Sequence, residues 1–105
     1  MLLAMSRNLL NLSACTLGYY LNASGTPMTS ADDLYSDFIP VSAGEKLWIY
    51  SSAAGKAGNR RLHGYSSNRT WLQQIAVVAV TLGSSYDTGG ITIPANVAYI
   101  RFSFN

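Results

Sequence analysis

The residues best able to do chemistry are rings and guanidinium groups spaced two apart. Trp48 and Tyr50, His63 and Tyr65, and Tyr99 and Arg101 form i, i+2 pairs, and Arg69 stands two residues before Trp71. In an extended strand such pairs share a face. A ring turned to solvent offers an apolar plane for one side of a pyranose, and hydroxyl, imidazole and guanidinium groups beside it can hydrogen-bond sugar hydroxyls. Trp48, Tyr50, His63, Tyr65, Arg69, Trp71, Tyr99 and Arg101 are therefore the candidate ligand-binding residues. A competing reading makes the rings core. Alternation in Lys46–Ser51 does not say whether Leu47 and Ile49 or Trp48 and Tyr50 face inward. His63 by itself reads as a polar surface residue.

Other chemistry is poorly provided for. Cys15 is the single cysteine and His63 the single histidine, which excludes an internal disulfide and a thiolate-rich metal site. A Cys–His nucleophile would have to be built from those two alone. Asp32, Asp33 and Asp37 could offer oxygens to Ca²⁺, which takes about six to eight, but no cation-loop spacing accompanies them. Asx turns and loop caps are their expected use. Glycoside hydrolysis needs two opposed carboxylates, and Glu45 and Asp87 sit in turn-like segments without supporting polar residues. No nucleophile elbow occurs. No catalytic residue, metal or cofactor is expected, and the sequons at Asn11, Asn22 and Asn68 read as the Asn/Ser/Thr richness of β-turns.

Composition says what must position these groups. Of 105 residues, 49% are hydrophobic and 11% charged, too apolar for a disordered chain and too sparsely charged for a helical bundle. Seven Tyr, three Phe and two Trp favour sheets. A net charge of +2, with basic residues scattered apart from Arg60-Arg61, leaves no footprint for nucleic acid. Met1–Met5 is too short for a signal peptide and precedes Arg7 instead of following it; residues 1–7 read as a disordered or added lead-in to one domain filling 1–105. The run Ile75–Leu82 is too short to span a bilayer, so no membrane insertion is expected.

Turn chemistry recurs at Asn22–Pro27, Ala43–Glu45, Ala54–Asn59, Ser66–Asn68, Gly83–Ser85, Thr88–Gly90 and Pro94–Asn96. Short runs between such breaks predict an antiparallel sandwich or barrel. Strands are expected at Gly18–Leu21, Asp37–Val41, Lys46–Ser51, Leu62–Tyr65, Trp71–Val80, Gly90–Ile93 and Ala98–Phe104. The Trp71–Val80 strand should bend near Gln74, and its Ile75–Val80 part, lacking alternation, should be covered on both sides. In the last strand Ala98, Ile100, Phe102 and Phe104 should face inward, with Tyr99, Arg101 and Ser103 opposite. Asp32–Ser36 is expected to be a loop.

Several phrases then fall into a familiar order. They are Asn8-Leu9-Leu10-Asn11, Gly18–Gly25, Tyr35-Ser36-Asp37-Phe38-Ile39-Pro40-Val41 with Gly44 and Tyr50 behind it, Gly64–Trp71, and Ile91–Ser103. Together they resemble the jelly-roll carbohydrate-binding modules of tail, baseplate and receptor-binding proteins of phages that infect Gram-positive bacteria. The pattern in that group is roughly sDYIPV-x-x-G-x-x-Y, fYDsnk and TPxNaxYiRis, and it covers the chain from Asn8 onward. Where the middle phrase usually has Asp after Tyr, this chain has Tyr65-Ser66. The resemblance implies an all-β antiparallel sandwich of the jelly-roll, galactose-binding-like kind, located in a virion tail or outside the cell. It implies a host cell-surface glycan as ligand, and other tail or baseplate subunits and further copies of the chain as partners. Two alternatives stand beside that reading: a structural oligomerisation module of a tail assembly, and an accessory binding module of a secreted polysaccharide hydrolase.

Overall fold

Short apolar segments with a period of two can hide one face each only by pairing and stacking. A computed structural model describes residues 12–48, 50–51, 58–80, 86–87 and 90–104. After a 3-10 turn at Leu12–Ala14 come β1 (Thr16–Leu21), β2 (Pro27–Tyr35), β3 (Ile39–Pro40), β4 (Lys46–Leu47), β5 (Tyr50–Ser51), β6 (Gly58–Tyr65), β7 (Trp71–Val80), β8 (Tyr86–Asp87), β9 (Ile91–Thr92) and β10 (Tyr99–Phe104). The larger sheet runs β1-β2-β10-β6-β7, with β3 on the end of β10, and the short ladders β4-β9 and β5-β8 stand apart from it. All these pairings are antiparallel. The chain is an all-β antiparallel sandwich. The expected lead-in at 1–7, the 8–11 phrase and the turns at 54–57, 83–85 and 88–89 lie outside the described residues.

The core lies on the inner face of the large sheet. Leu62, Ile93, Val97 and Ile100 are buried there, with Leu47 and Ile91 from the β4-β9 ladder packed against them. Ile100 and Phe102 supply the inward set of β10, as alternation requires, while the Phe104 side chain lies outside the described residues. Packing is tight enough to need a glycine on β6. A Cβ on Gly64 would sit 2.9 Å from Val97 Cγ2 and 3.0 Å from Ile75 Cδ1. Backbone bonds fasten the ladder to the loop before it: Gly44 N–H donates to Ile93 O at 2.8 Å, and Ile93 N–H to Glu45 O at 2.8 Å.

Pairing decides several boundaries differently from local sequence. Asp32–Tyr35 is strand, not loop, because Leu34 and Tyr35 are held from both sides, by Leu17 and Thr16 of β1 and by Phe104 and Ser103 of β10. Gly58 and Asn59, expected in a turn, open β6 opposite Val80 and Ala79. The expected strands at 37–41 and 90–93 shrink to Ile39–Pro40 and Ile91–Thr92. The 46–51 strand is interrupted at Trp48. β7 has the expected irregularity, a register shift that places Ala76 opposite Leu62 and Gln74 opposite His63. It is not covered on both sides, however: β7 ends the sheet and Val77 is 43% exposed.

Candidate aromatic and arginine site

An extra residue in one strand builds the site. Tyr35 lies opposite Ser103 and Ile39 opposite Ile100, so Ser36, Asp37 and Phe38 face only Arg101 and Phe102. Such a mismatch of one extra residue is a β-bulge, which bends the strand and re-aims its side chains. Ser36 repairs the ladder. Its N–H donates to Phe102 O and its Oγ accepts from Phe102 N–H, both at 2.9 Å, in a buried position. Asp37 Oδ1 accepts the Phe38 N–H at 2.8 Å. The Phe38 ring then lies against the outward side chains of β6 and β10.

Tyr99 pairs with Tyr65, and Arg101 with His63, so all four belong to the outer face of the large sheet. The Arg101 guanidinium carbon stands 4.5 Å from the Phe38 ring centroid, 4.8 Å from that of Tyr65 and 5.0 Å from that of Tyr35. Its Nε–H donates to the Tyr65 hydroxyl at 3.0 Å. Arg69 lies 5.1 Å from the centroids of both Phe38 and Tyr99. Phe38 meets Tyr65 edge-to-face at 5.0 Å and Tyr99 at 6.1 Å. Each guanidinium contact is worth about 0.5–2 kcal/mol, more as water is excluded.

The loop that brings Arg69 there is set by its own hydrogen bonds. Ser66 N–H donates to Thr70 O at 2.9 Å and Arg69 N–H to Ser66 O at 2.8 Å, while the Ser66 hydroxyl donates to Asn68 Oδ1. Closing this turn holds Arg69 at φ 65°, in the left-handed region, where a residue with a Cβ is uncommon.

A second group of candidates is covered instead of displayed. The β1–β2 hairpin curls over the outer face: Leu21 is fully buried and its N–H donates to Ser103 Oγ at 3.0 Å. Asn22 Oδ1 accepts from Ser24 N–H at 2.9 Å and Thr26 N–H at 3.0 Å, shaping the hairpin turn. Gly25, at φ 76°, meets Trp71 so closely that a Cβ would fall 2.4 Å from Trp71 Cδ1. Beneath this cover His63 has no exposed surface, which corrects its reading as a polar surface residue; Tyr65 too is buried, so its hydroxyl serves Arg101 and its ring is not a platform. Trp71 Nε1–H donates to His63 Nδ1 at 3.1 Å, which puts the imidazole proton on Nε2. Burial, with Arg61 and Arg101 adding, lowers the His63 pKa to about 4; backbone groups of Leu21 and Asn22 oppose the shift.

The structure thus gathers Tyr65, Arg69, Tyr99 and Arg101, with His63 and Trp71 adjoining on the same face. Trp71 keeps 38% of its surface exposed. Trp48 does not join them. It follows Leu47 of the other layer and lies across Gly90, 46% exposed, with its ring atoms 3.2–3.4 Å from where a Gly90 Cβ would be. Tyr50 is in β5, also off the large sheet, and its side chain lies outside the described residues. Tyr35 and Phe38 are members that residue spacing did not nominate. Cys15 is not activated: burial, then the Asp37 charge, pushes its thiol up. Among the described residues no group of three His, Cys, Asp or Glu side chains could hold a metal ion, and no helix is long and apolar enough to cross a membrane. Comparison with protein-family models, curated proteins and solved structures returned no match.

Proposed function

We propose that this chain is a non-catalytic carbohydrate-binding module, similar to those of phage tails, that holds a host cell-surface glycan on the outer face of its large sheet. One observation carries the reading: Arg69 and Arg101 lie against Tyr35, Phe38, Tyr65 and Tyr99 in one partly open cluster. Rings and forked donors fixed side by side match the alternating apolar and hydroxyl-bearing surfaces of a sugar. Trp71 extends the platform, and Trp48 is a separate exposed ring. Single-site affinity should be weak, since a few contacts must offset the ordering of a flexible saccharide, and multiple copies would raise avidity. A glycan array that includes wall polysaccharides tests this. Binding by the parent chain, lost in Trp71→Ala with unchanged circular dichroism, is expected. Equal binding by parent and variant would remove Trp71 from the site, and an array without hits would reject the function.

A second reading, an assembly module of a tail structure, draws on a different feature. Leu17, Met28, Leu72 and Val77 are exposed apolar residues of β1, β2 and β7. Sedimentation tests it: a clean monomer at micromolar concentration would count against the assembly reading.

A further inference from the structure

We infer that the glycan bound here carries an oxyanion, a carboxylate or phosphodiester, which Arg69 and Arg101 grip together. The inference rests on the carbohydrate-binding reading and narrows it to acidic saccharides. The two guanidinium carbons lie 5.1 Å and 4.5 Å from the same Phe38 centroid, so they can be no further apart than those two distances laid end to end. Two cations within that bound repel, the more so as water is excluded, and a folded protein commonly sets a carboxylate beside them. Among the described residues neither has one. Asp37, next to Phe38 in the chain, turns Oδ1 to the Phe38 N–H instead.

What holds these arginines is chemically incomplete. Ring contacts give a guanidinium no anionic acceptor, so its N–H groups that are not bonded elsewhere can still fork onto a carboxylate or phosphate. Arg101 gives Nε–H to Tyr65 and makes no other hydrogen bond among the described residues, so its two terminal nitrogens are available. The Arg69 side chain is exposed and has only ring contacts among the described residues, yet its turn fixes its backbone at φ 65°. Two pre-positioned forks with open edges beside the Tyr99 and Phe38 rings suit a sugar that lays its apolar side on the rings and its charged group between the forks. A neutral sugar would leave the repulsion uncompensated.

The test titrates the full chain with oligogalacturonate, with the same oligosaccharide methyl-esterified, with a polyglycerol-phosphate polymer and with a single-stranded oligonucleotide. Oligogalacturonate identifies a carboxylate source and the polymer a phosphodiester source. We expect one or both to bind at least about tenfold more tightly than the ester, with salt weakening only the charged ligand. In Arg69→Gln the ratio of acid to ester affinity should collapse toward one, as it should in Arg101→Gln; unchanged circular dichroism in the exposed Arg69 variant separates lost binding from lost folding. Equal binding of acid and ester overturns the inference and leaves the carbohydrate reading standing. Tighter binding of the oligonucleotide overturns the inference in favour of a nucleic-acid ligand. Failure of every saccharide here, together with an array without hits, overturns both.

Discussion

His63 shows how much one side chain's surroundings can set. Its pKa falls from 6.5 to about 4 because the covered imidazole cannot be hydrated when charged and faces Arg61 and Arg101. The unfolded chain therefore takes up a proton that the folded chain refuses between about pH 6.5 and pH 4. Stability should be unaffected by this group above pH 6.5. It should decline as pH drops through that window, by up to about 3 kcal/mol. Protonation would also place a hydrogen on Nδ1, where Trp71 now donates. Thermal melts from pH 7 to pH 4 measure the effect, and His63→Gln should flatten that slope. An unchanged slope in the variant would assign the acid sensitivity to other groups.

At the scale of the element, the bulge at Ser36–Phe38 does most to assemble the site. It puts one more residue on the β2–β3 side than β10 has to match, and Ser36 supplies the missing partner through Oγ. Ser36→Ala takes that acceptor from the part-buried Phe102 N–H, which should cost about 1 kcal/mol. Phe38 would lose its fixed position, so sugar affinity should fall along with stability. A chemical-denaturation curve and a binding titration on the same variant check both, and a variant that binds normally would show that the bulge does not aim Phe38. The β1–β2 hairpin has the complementary role, sealing His63 and one side of Trp71 while leaving the arginine cluster open.

For the molecule as a whole, stability depends on the layers being joined, because the β4-β9 and β5-β8 ladders are too short to persist alone. Ile93 is the joint. It is buried in the core cluster, and its N–H and C=O bond to the 44–45 turn. Truncation in Ile93→Ala should cost about 2–5 kcal/mol, lowering the urea midpoint with little change in slope if the layers unfold as one unit. A shallower or two-step transition would show that the ladder detaches first.

Residue order alone carried the class of this protein. Low charge, abundant tyrosine and turn residues between short runs admit little except an antiparallel sandwich, and period-two alternation assigned the two faces of β10. It also nominated Tyr99 and Arg101 as neighbours, since strand geometry fixes i, i+2 relations without reference to the rest of the fold. Which candidates meet was decided by the tertiary structure. Trp48 and Tyr50 look like the other pairs in sequence, yet Trp48 follows β4 and Tyr50 lies in β5, both off the large sheet, and His63 lies under a hairpin that no local pattern announces. Phe38 and Tyr35 enter through a bulge whose existence depends on the register of a strand more than sixty residues away. Local geometry is set by neighbours in the chain, but exposure and register are set by what packs against a segment, and that information is spread over the whole sequence.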